Sequence, residues 1–166
     1  MSQTSARAFD IRHELRPGDL GMVIHLHGVL YAREYGLDTT FEPYVAKPLA
    51  DFVLAGAGRL WIAEEDGRVV GSIAVVDADN DVGQLRWFLL TPEARGTGLG
   101  RRMLETALTY CRERGMRHVF LWSFAQLDDA LRLYERAGFQ ITETNKTLLW
   151  GAERTEVRMA LDIGSR

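Results

Sequence analysis

The sequence predicts an α/β fold in the form of an α+β mixed sheet, with about seven strands flanked by about four helices. Three observations support this prediction. Apolar residues repeat with a helical period before residue 56 and with the alternation of strands between residues 59 and 90. A glycine-rich stretch at residues 96–100 then opens another amphipathic segment, and an apolar strand follows it. A strand, a crossover helix and a strand in this order favour parallel pairing within a mixed sheet.

Before the strand pattern begins, the chain is predicted to form one short strand and two helices. Gly28 marks a point at which the first helix could divide, and Gly36 marks its end. Asp19 is placed to cap this helix, and Pro48 predicts a kink in the second one. In order, the elements are a strand at 9–15, a helix at 20–36, and a helix that starts at Thr39 or Thr40 and ends at 56–58.

From residue 59 onwards the pattern predicts a three-stranded antiparallel meander, followed by alternating helices and strands. Asp66 and Gly67 predict a tight hairpin turn between the first two strands. Residues 87–90 are apolar on both faces, which is typical of a central strand. The predicted elements are strands at 59–64, 69–76 and 82–90, a helix at 99–114, a strand at 118–124, a helix from Asp128 or Asp129 through Ala137, and strands at 139–144 and 153–161.

The rest of the chain is organised around residues 91–102, which read T-P-E-A-R-G-T-G-L-G-R-R. Three glycines leave backbone N–H groups open to close approach by a ligand. The N-terminus of the helix that follows adds unpaired donors and partial positive charge, which together favour a phosphate. Three arginines add fixed positive charge, so this stretch predicts a diphosphate-binding loop. These six residues are Gly96, Gly98, Gly100, Arg95, Arg101 and Arg102.

Several kinds of loop share this composition and differ in their spacing. A nucleotide P-loop requires Lys-Ser or Lys-Thr after its last glycine, and neither follows Gly100. A dinucleotide-binding loop requires G-x-G-x-x-G, whereas the spacing here is G-x-G-x-G and no regular βαβαβ series follows. A third pattern, Arg-x-x-Gly-x-Gly or Ala, is filled by Arg95, Gly98 and Gly100. The remaining alternative is a plain glycine-rich turn, which the concentration of glycine and arginine at one helix start disfavours.

Composition and charge bound the classes of function. The 166 residues carry a net charge of −3, which predicts no general basic surface for nucleic acid. No apolar run approaches the ~20 residues that span a bilayer, so we predict no membrane partner. The single cysteine, Cys111, excludes an internal disulfide framework and is compatible with a reducing cytosol, so we expect a cytoplasmic protein. We predict one domain over residues 1–166 and no metal site.

Two motifs resemble the GNAT family of N-acetyltransferases. The first is residues 85–100, which contain the Arg-x-x-Gly-x-Gly loop. The second is residues 130–139, A-L-R-L-Y-E-R-A-G-F, which are similar to the family's A-x-x-L-Y-E-x-x-G-F stretch. The order of the predicted elements also resembles the fold of this family, so the resemblance covers essentially the whole chain. More finely, residues 27–36, H-G-V-L-Y-A-R-E-Y-G, resemble acetyltransferase domains that follow a MarR-type winged-helix domain in some bacterial proteins.

The resemblance implies transfer of an acetyl group from acetyl-CoA, the acyl donor, to an amine by direct attack. It implies that the backbone of Phe88, Leu89 and Leu90 holds the pantetheine between splayed strands. It also implies that Tyr134 supplies a proton or a hydrogen bond to the departing thiolate, a role compatible with a buried aromatic position. Many relatives carry Asn where this chain has Leu127, so any cofactor contact of that Asn is absent here. The implied pyrophosphate loop consists of Arg95, Gly96, Thr97, Gly98, Leu99, Gly100, Arg101 and Arg102.

The sequence alone does not identify the general base. An alkylamine with a pKa near ~10 is mostly protonated at neutral pH, so a base or a desolvating pocket must remove its proton. The strand before the loop offers only Gln84 and Arg86, and neither is a suitable base. We predict Glu34 as the catalytic base, because Tyr31 and Tyr35 would form with it an aromatic and acidic wall suited to a cationic amine. The alternatives are Glu42, His25, His27, a water relay without a side-chain base, and a solvated helix face at these positions.

The resulting hypothesis is an enzyme, an acetyl-CoA-dependent N-acetyltransferase that acts on a primary amine of a small molecule, protein or peptide. The main alternative is a non-catalytic acyl-CoA-binding or sensor module, which would share the loop and differ at the acceptor site. A DNA-binding regulator is disfavoured by the acidic charge and by the lack of a helix-turn-helix pattern. Exposed edge strands of such a sheet often pair between subunits, so a homodimer is a further expectation.

Overall fold

The computed structural model describes residues 7–164, which form one mixed seven-stranded sheet with four α-helices around it. The predicted fold class is confirmed. The strands lie in the order β1-β2-β3-β4-β5-β7-β6, so β4 is central, as predicted. The elements are β1 (Asp10–Arg12), α1 (Asp19–Tyr35), α2 (Phe41–Ala55), β2 (Gly58–Glu65), β3 (Arg68–Asp79), β4 (Val82–Leu90), a 3₁₀ turn (Pro92–Ala94), α3 (Leu99–Glu113), β5 (His118–Phe124), α4 (Asp128–Arg136), β6 (Gln140–Leu149) and β7 (Ala152–Asp162).

Strand pairing changes between β4 and β5. Every other neighbouring pair in the sheet is antiparallel. β4 and β5 are parallel, as the crossover helix predicts, but only residues 82–84 pair with residues 118–120. Beyond Gln84 the two strands separate, so the facing edge of β4 has no ladder partner on β5.

Helices cover both faces of the sheet. Along β2, Leu60 and Ile62 pack in an apolar cluster with α1 and α2, whereas Trp61 and Ala63 pack in a second cluster with α3 and α4. This alternation is the period-two pattern from which the strand was predicted. None of the helices within residues 7–164 is long and apolar enough to cross a membrane.

Two expectations about the first helix are wrong. α1 runs unbroken through Gly28, where the missing side chain leaves room for α2: a Cβ at this position would lie 2.5 Å from the Glu42 carboxylate. Asp19 does not cap α1. Its carboxylate is buried and accepts hydrogen bonds of 2.8 and 2.9 Å from Arg12, which secures α1 to β1 instead.

Three strands differ clearly in length from prediction: β3, which extends to Asp79, and the strands at the two edges of the sheet. β1 is shorter than the predicted 9–15 segment, and β6 extends well beyond residue 144. Most residues of β6 are exposed, so this edge strand lacks the alternation between apolar and polar residues that marks a half-buried strand. Its end is therefore set by pairing with β7, which the local sequence does not reveal.

Candidate active site

The separation of β4 from β5 coincides with a bulge in β4. The register between β3 and β4 shifts after Ser72, so that Trp87 and Phe88 together face a single residue of β3. Trp87 has a φ of 48°, which is rare for a bulky residue, and its carbonyl accepts a 2.7 Å hydrogen bond from the Ser72 hydroxyl. Because a bulge bends its strand, β4 leaves a gap beside β5 at this level.

Two cavities meet at the gap. The larger, about 1150 Å³, is called here the loop cavity. The smaller, about 310 Å³, is called the gap cavity. Both are lined by Tyr31, Phe88 and Ala130, which therefore mark their junction. The loop cavity is lined mainly by residues 88–90, Glu34, Tyr35, Arg95, Gly96, Gly98, Gly100, Arg101, residues 126–130, Arg132 and Arg136. The gap cavity is lined mainly by residues 84–88 and 121–124, His27, Phe41, Tyr44, Tyr134 and Glu156.

The glycine loop presents backbone donors to the loop cavity. Gly96 and Gly98 have φ values of 71° and 86°, a region that other residues enter only with strain. Gly100 serves packing instead, since a Cβ there would lie 3.2 Å from the Leu90 side chain. Within residues 7–164 the N–H groups of these three glycines and of Arg101 have no hydrogen-bond acceptor. Four free donors at a helix start suit an anion such as a pyrophosphate.

Most of the hydrogen-bond donors of the Arg95 guanidinium already bind groups of the protein itself. Its Nη1 lies 2.5 Å from Oε1 of Glu34, and its Nη2 lies 3.0 Å from Oε2. Its Nε and Nη2 also donate to the carbonyl of Leu90, at 3.2 and 3.0 Å. These bonds use four of the five N–H donors of a guanidinium, so one remains for a ligand. Donation of hydrogen bonds to Glu34 raises the pKa of Arg95 and keeps it charged.

The other predicted loop residues divide between the cavity and the core. Arg101 lines the loop cavity and pairs with Glu105 at 3.1 Å. Arg102 is turned away, with its guanidinium 3.4 to 3.5 Å from the Phe9 carbonyl. The Thr97 hydroxyl donates to the Ala94 carbonyl at 2.6 Å, and the Leu99 side chain is buried in the core. Thr97 and Leu99 therefore shape the loop from within and do not line the cavity.

Tyr134 lines the gap cavity close to Phe88, one of the residues at the junction with the loop cavity. Its ring packs 6.1 Å from the ring of Phe88 and 5.8 Å from that of Phe139. Burial raises the pKa of Tyr134, and the neighbouring Tyr31 adds to this effect. The hydroxyl therefore stays protonated throughout the physiological pH range and acts as a hydrogen-bond donor.

The structure places the candidate bases of the first two helices in different surroundings. Glu34 lines the loop cavity and does not line the gap cavity. Glu42 and His25 are exposed and line neither cavity. His27 alone of the four lines the gap cavity, where burial lowers its pKa to about 4. Its Nδ1 lies 2.7 Å from the Val23 carbonyl and must donate to it, so Nε2 of the neutral ring carries a lone pair.

Two charged residues of the gap cavity were not assigned to a site by the sequence. The sequence presents Arg86 only as an unsuitable base and places Glu156 in a predicted closing strand, with no site assigned to it. Both line the gap cavity, although β4 and β7 are separated by β5 in the sheet. The signal in the sequence is weak, since a charged residue alternating with apolar ones in a strand is usually solvated.

A family model places this architecture among known proteins. The model described as the acetyltransferase (GNAT) family matches residues 27–139, a stretch that contains the glycine loop, the bulged β4 and α4. This match covers more than half of the chain. The chain belongs to the acetyltransferase (GNAT) family, and it is an N-acetyltransferase.

Individual relatives agree with this assignment. The chain is 32% identical to the uncharacterized N-acetyltransferase YjgM of Escherichia coli (strain K12) over 114 residues, which are 64% of this chain and 68% of that one. It is 33% identical to the mycothiol acetyltransferase of Cellulomonas flavigena over 91 residues, 49% of this chain and only 26% of that longer protein. A Salmonella typhimurium protein solved with its cofactor acetyl-CoA has a TM-score of 0.72 and 21% identity, with 96% of both chains covered.

Proposed function

We propose that this enzyme transfers an acetyl group from acetyl-CoA to a primary amine of a small molecule or peptide, by direct attack of the amine. One observation carries the proposal: a cavity with free backbone donors joins a second, aromatic cavity, and Tyr134 lies near their junction. The first cavity suits the nucleotide end of a coenzyme, and the second suits an acceptor. The two substrates would thus meet at Tyr31, Phe88 and Ala130.

The acyl donor fits the loop cavity by the chemistry of its lining. Acetyl-CoA, when bound, supplies an acetyl group activated as a thioester. We assign its pyrophosphate to the free N–H groups of Gly96, Gly98, Gly100 and Arg101. The edge of β4 at Phe88, Leu89 and Leu90, which has no partner on β5, offers backbone groups to the pantetheine amides, and of these the Leu90 carbonyl already accepts from Arg95. Arg95 and Thr97 hold the loop in shape, and Arg102 lies too far round the helix start to line the cavity.

The reaction needs proton removal before bond formation. The acceptor loses one proton from its ammonium group, and the nitrogen lone pair then attacks the thioester carbonyl carbon. As the C–N bond forms and the C–S bond breaks, sulfur leaves with the electron pair. The nitrogen gives up a second proton, one proton ends on the thiol, and one is released to solvent. The chain must therefore receive a proton at one side of the junction and stabilise a thiolate at the other.

Tyr134 is our candidate for thiolate stabilisation. A tyrosine whose pKa is raised by burial is a weaker acid than a thiol, whose pKa is near ~8.5. Complete proton transfer from Tyr134 to sulfur would thus be uphill. A hydrogen bond from its hydroxyl to the developing thiolate needs no such transfer, and preorganised donors of this kind lower the barrier substantially.

The surroundings of Glu34 favour a positioning role over the predicted role of catalytic base. Both of its carboxylate oxygens accept hydrogen bonds from Arg95, and its side chain lines the loop cavity. We therefore propose Glu34 as a positioning residue that fixes Arg95 and, through it, the end of β4. Glu156 remains a proton acceptor that lines the gap cavity, whereas the low pKa of His27 makes its Nε2 a weak one.

The test is a thiol-release assay with acetyl-CoA against pooled amines and peptides, followed by mass spectrometry of the product. We expect a mass increase of one acetyl group on an amine of the pool, together with stoichiometric free thiol. Binding of acetyl-CoA in calorimetry without turnover of any amine would instead favour a non-catalytic acyl-CoA-binding module. No uptake of any CoA species by folded protein would overturn both.

Three finer expectations belong to this proposal. The likeness of residues 27–36 to acetyltransferase domains that follow MarR-type regulators stays a prediction, as does a cytoplasmic location. Pairing of two subunits through the exposed edge strand β6 is the proposed route to a homodimer, because its free backbone edge is available in the described chain. Sedimentation of the purified protein distinguishes a dimer from a monomer.

A further inference from the structure

Among residues 7–164, no anion is paired with the guanidinium of Arg86. The side chain lines the gap cavity, and its Cζ lies 4.4 Å from the centroid of the Trp87 ring. Within residues 7–164 neither a carboxylate nor a hydrogen-bond acceptor is paired with it. The bulge explains the stacking: Trp87 joins the apolar cluster under α1 and α2, on the same side as the gap cavity.

Other arginines with little exposure have hydrogen-bond or ion-pair partners within the fold. Arg154 is buried and donates to the carbonyls of Leu149 and Tyr35, each at 3.3 Å. Arg12 is secured by two carboxylates. Burial lowers the pKa of Arg86, but a guanidinium remains charged at any physiological pH. A partly dehydrated charge without a partner destabilises the free protein, and a bound anion would remove that cost.

Glu156 provides a charge of opposite sign in the same cavity. It extends from β7, lines the gap cavity, and forms no ion pair with Arg86 or with any other cation of the described chain. Aromatic side chains, among them Tyr31, Phe41 and Tyr44, also line this cavity. A volume of about 310 Å³ suits a small molecule. The cavity is therefore complementary to a small zwitterion with an apolar body.

We propose that the acceptor is a small amine that also carries a carboxylate, and that Arg86 binds this carboxylate as a specificity-determining residue. The planar fork of a guanidinium matches the two oxygens of a carboxylate. Glu156 then faces the ammonium group of the same molecule. This inference rests on the proposed function, because it names the acceptor class of the same site.

The experiment uses matched sets of amines with the acetyl-CoA-saturated enzyme. Each of the common amino acids is compared with its amide and with its decarboxylated amine, and kcat/KM is measured by thiol release. We expect the carboxylated member of the preferred set to exceed its neutral partners by about tenfold or more. In Arg86→Gln this ratio falls towards one, while Arg86→Lys retains part of it, because the charge remains and the fork is lost.

Arg59→Gln is the matched control. Arg59 also stacks on an aromatic ring, at 4.8 Å from Tyr110, but it lines neither cavity, so the ratio stays unchanged. Calorimetric titration of the same amines into CoA-saturated protein reports binding without turnover. The inference is overturned by a preference for neutral amines, by a ratio that survives Arg86→Gln, or by a lack of binding and turnover for every carboxylated amine. A protein that takes up no acetyl-CoA would contradict the proposed function itself.

Discussion

The two cavities of this enzyme are built in different ways. The loop cavity draws most of its lining from two short stretches of chain, residues 88–105 and 126–137. The gap cavity collects its lining from α1, α2, β4, β5, α4 and β7. Under the proposed function, local backbone binds a common substrate feature such as a pyrophosphate, whereas side chains that only the folded sheet brings together bind a particular acceptor.

Their electrostatics differ as well. In the loop cavity, Glu34 pairs with Arg95 and Arg101 pairs with Glu105, so the side-chain charges largely cancel and the backbone donors remain free. In the gap cavity, Arg86 and Glu156 are left without partners within the described chain, beside a buried neutral His27. Specificity is thus expected to reside in the gap cavity, where the substrate completes the charge pairing.

The largest predicted effect is acid destabilisation through His27 of the gap cavity. Its folded-state pKa is about 4, against 6.5 when unfolded. Above pH 6.5 both states are neutral, and as the pH falls the unfolded state takes up a proton that the folded state refuses. The free energy of unfolding should therefore fall from pH 6.5 downwards, by about 3 kcal/mol in total near pH 4. Urea unfolding at a series of pH values measures this loss.

The variant His27→Gln should flatten the stability profile between pH 6.5 and pH 5, whatever its stability at neutral pH. His13→Gln alters an exposed histidine and should leave the slope unchanged. Asp19 does not contribute to the slope in this pH range. Hydrogen bonding to Arg12 lowers the pKa of its carboxyl group, so the stability that Asp19 contributes is lost only below the usual pKa of 3.8. A slope that persists in His27→Gln would show that the gap cavity does not hold a buried neutral imidazole.

The next effect concerns the junction of the two cavities. Tyr134→Phe should lower kcat about 100-fold while acetyl-CoA binding stays within about twofold, because only the hydrogen bond to the thiolate is lost. Tyr110→Phe is the control, since it removes a hydroxyl from another buried tyrosine that lines neither cavity. Equal losses of kcat in the two variants would assign Tyr134 a structural role.

The contrast between the two cavities also explains which features could be predicted from the sequence. The strand, glycine loop and helix follow one another in the chain, so local period and spacing identify them, and Gly96 and Gly98 do have the positive φ that such a loop requires. The pairing of Glu34 with Arg95 could not be predicted, because 61 residues separate the two. The same holds for Arg86 and Glu156, whose proximity depends on a bulge and on the order in which β5 and β7 pair.

A smaller effect is expected at the loop itself. Gly98→Ala places a Cβ in a left-handed conformation, which costs about 1–2 kcal/mol and shifts the free donors of the loop. We expect acetyl-CoA affinity to fall about tenfold in calorimetry. Gly115→Ala is matched to it: φ is 73°, the position flanks the other end of α3, and open space surrounds it. If both variants lose stability equally and bind acetyl-CoA equally well, the backbone cradle is contradicted.

The smallest effect separates two roles of Glu34. As a positioning residue it stabilises Arg95 through a partly exposed pair, so Glu34→Gln should raise the KM for acetyl-CoA about two- to fivefold and leave kcat and its pH profile unchanged. As a base it would instead lower kcat strongly and shift the pH profile. Asp51→Asn, which breaks an exposed pair with Lys47 on α2, controls for surface charge. Because Glu34 lines only the loop cavity and we assign the acceptor amine to the gap cavity, a strong effect on kcat would contradict that assignment.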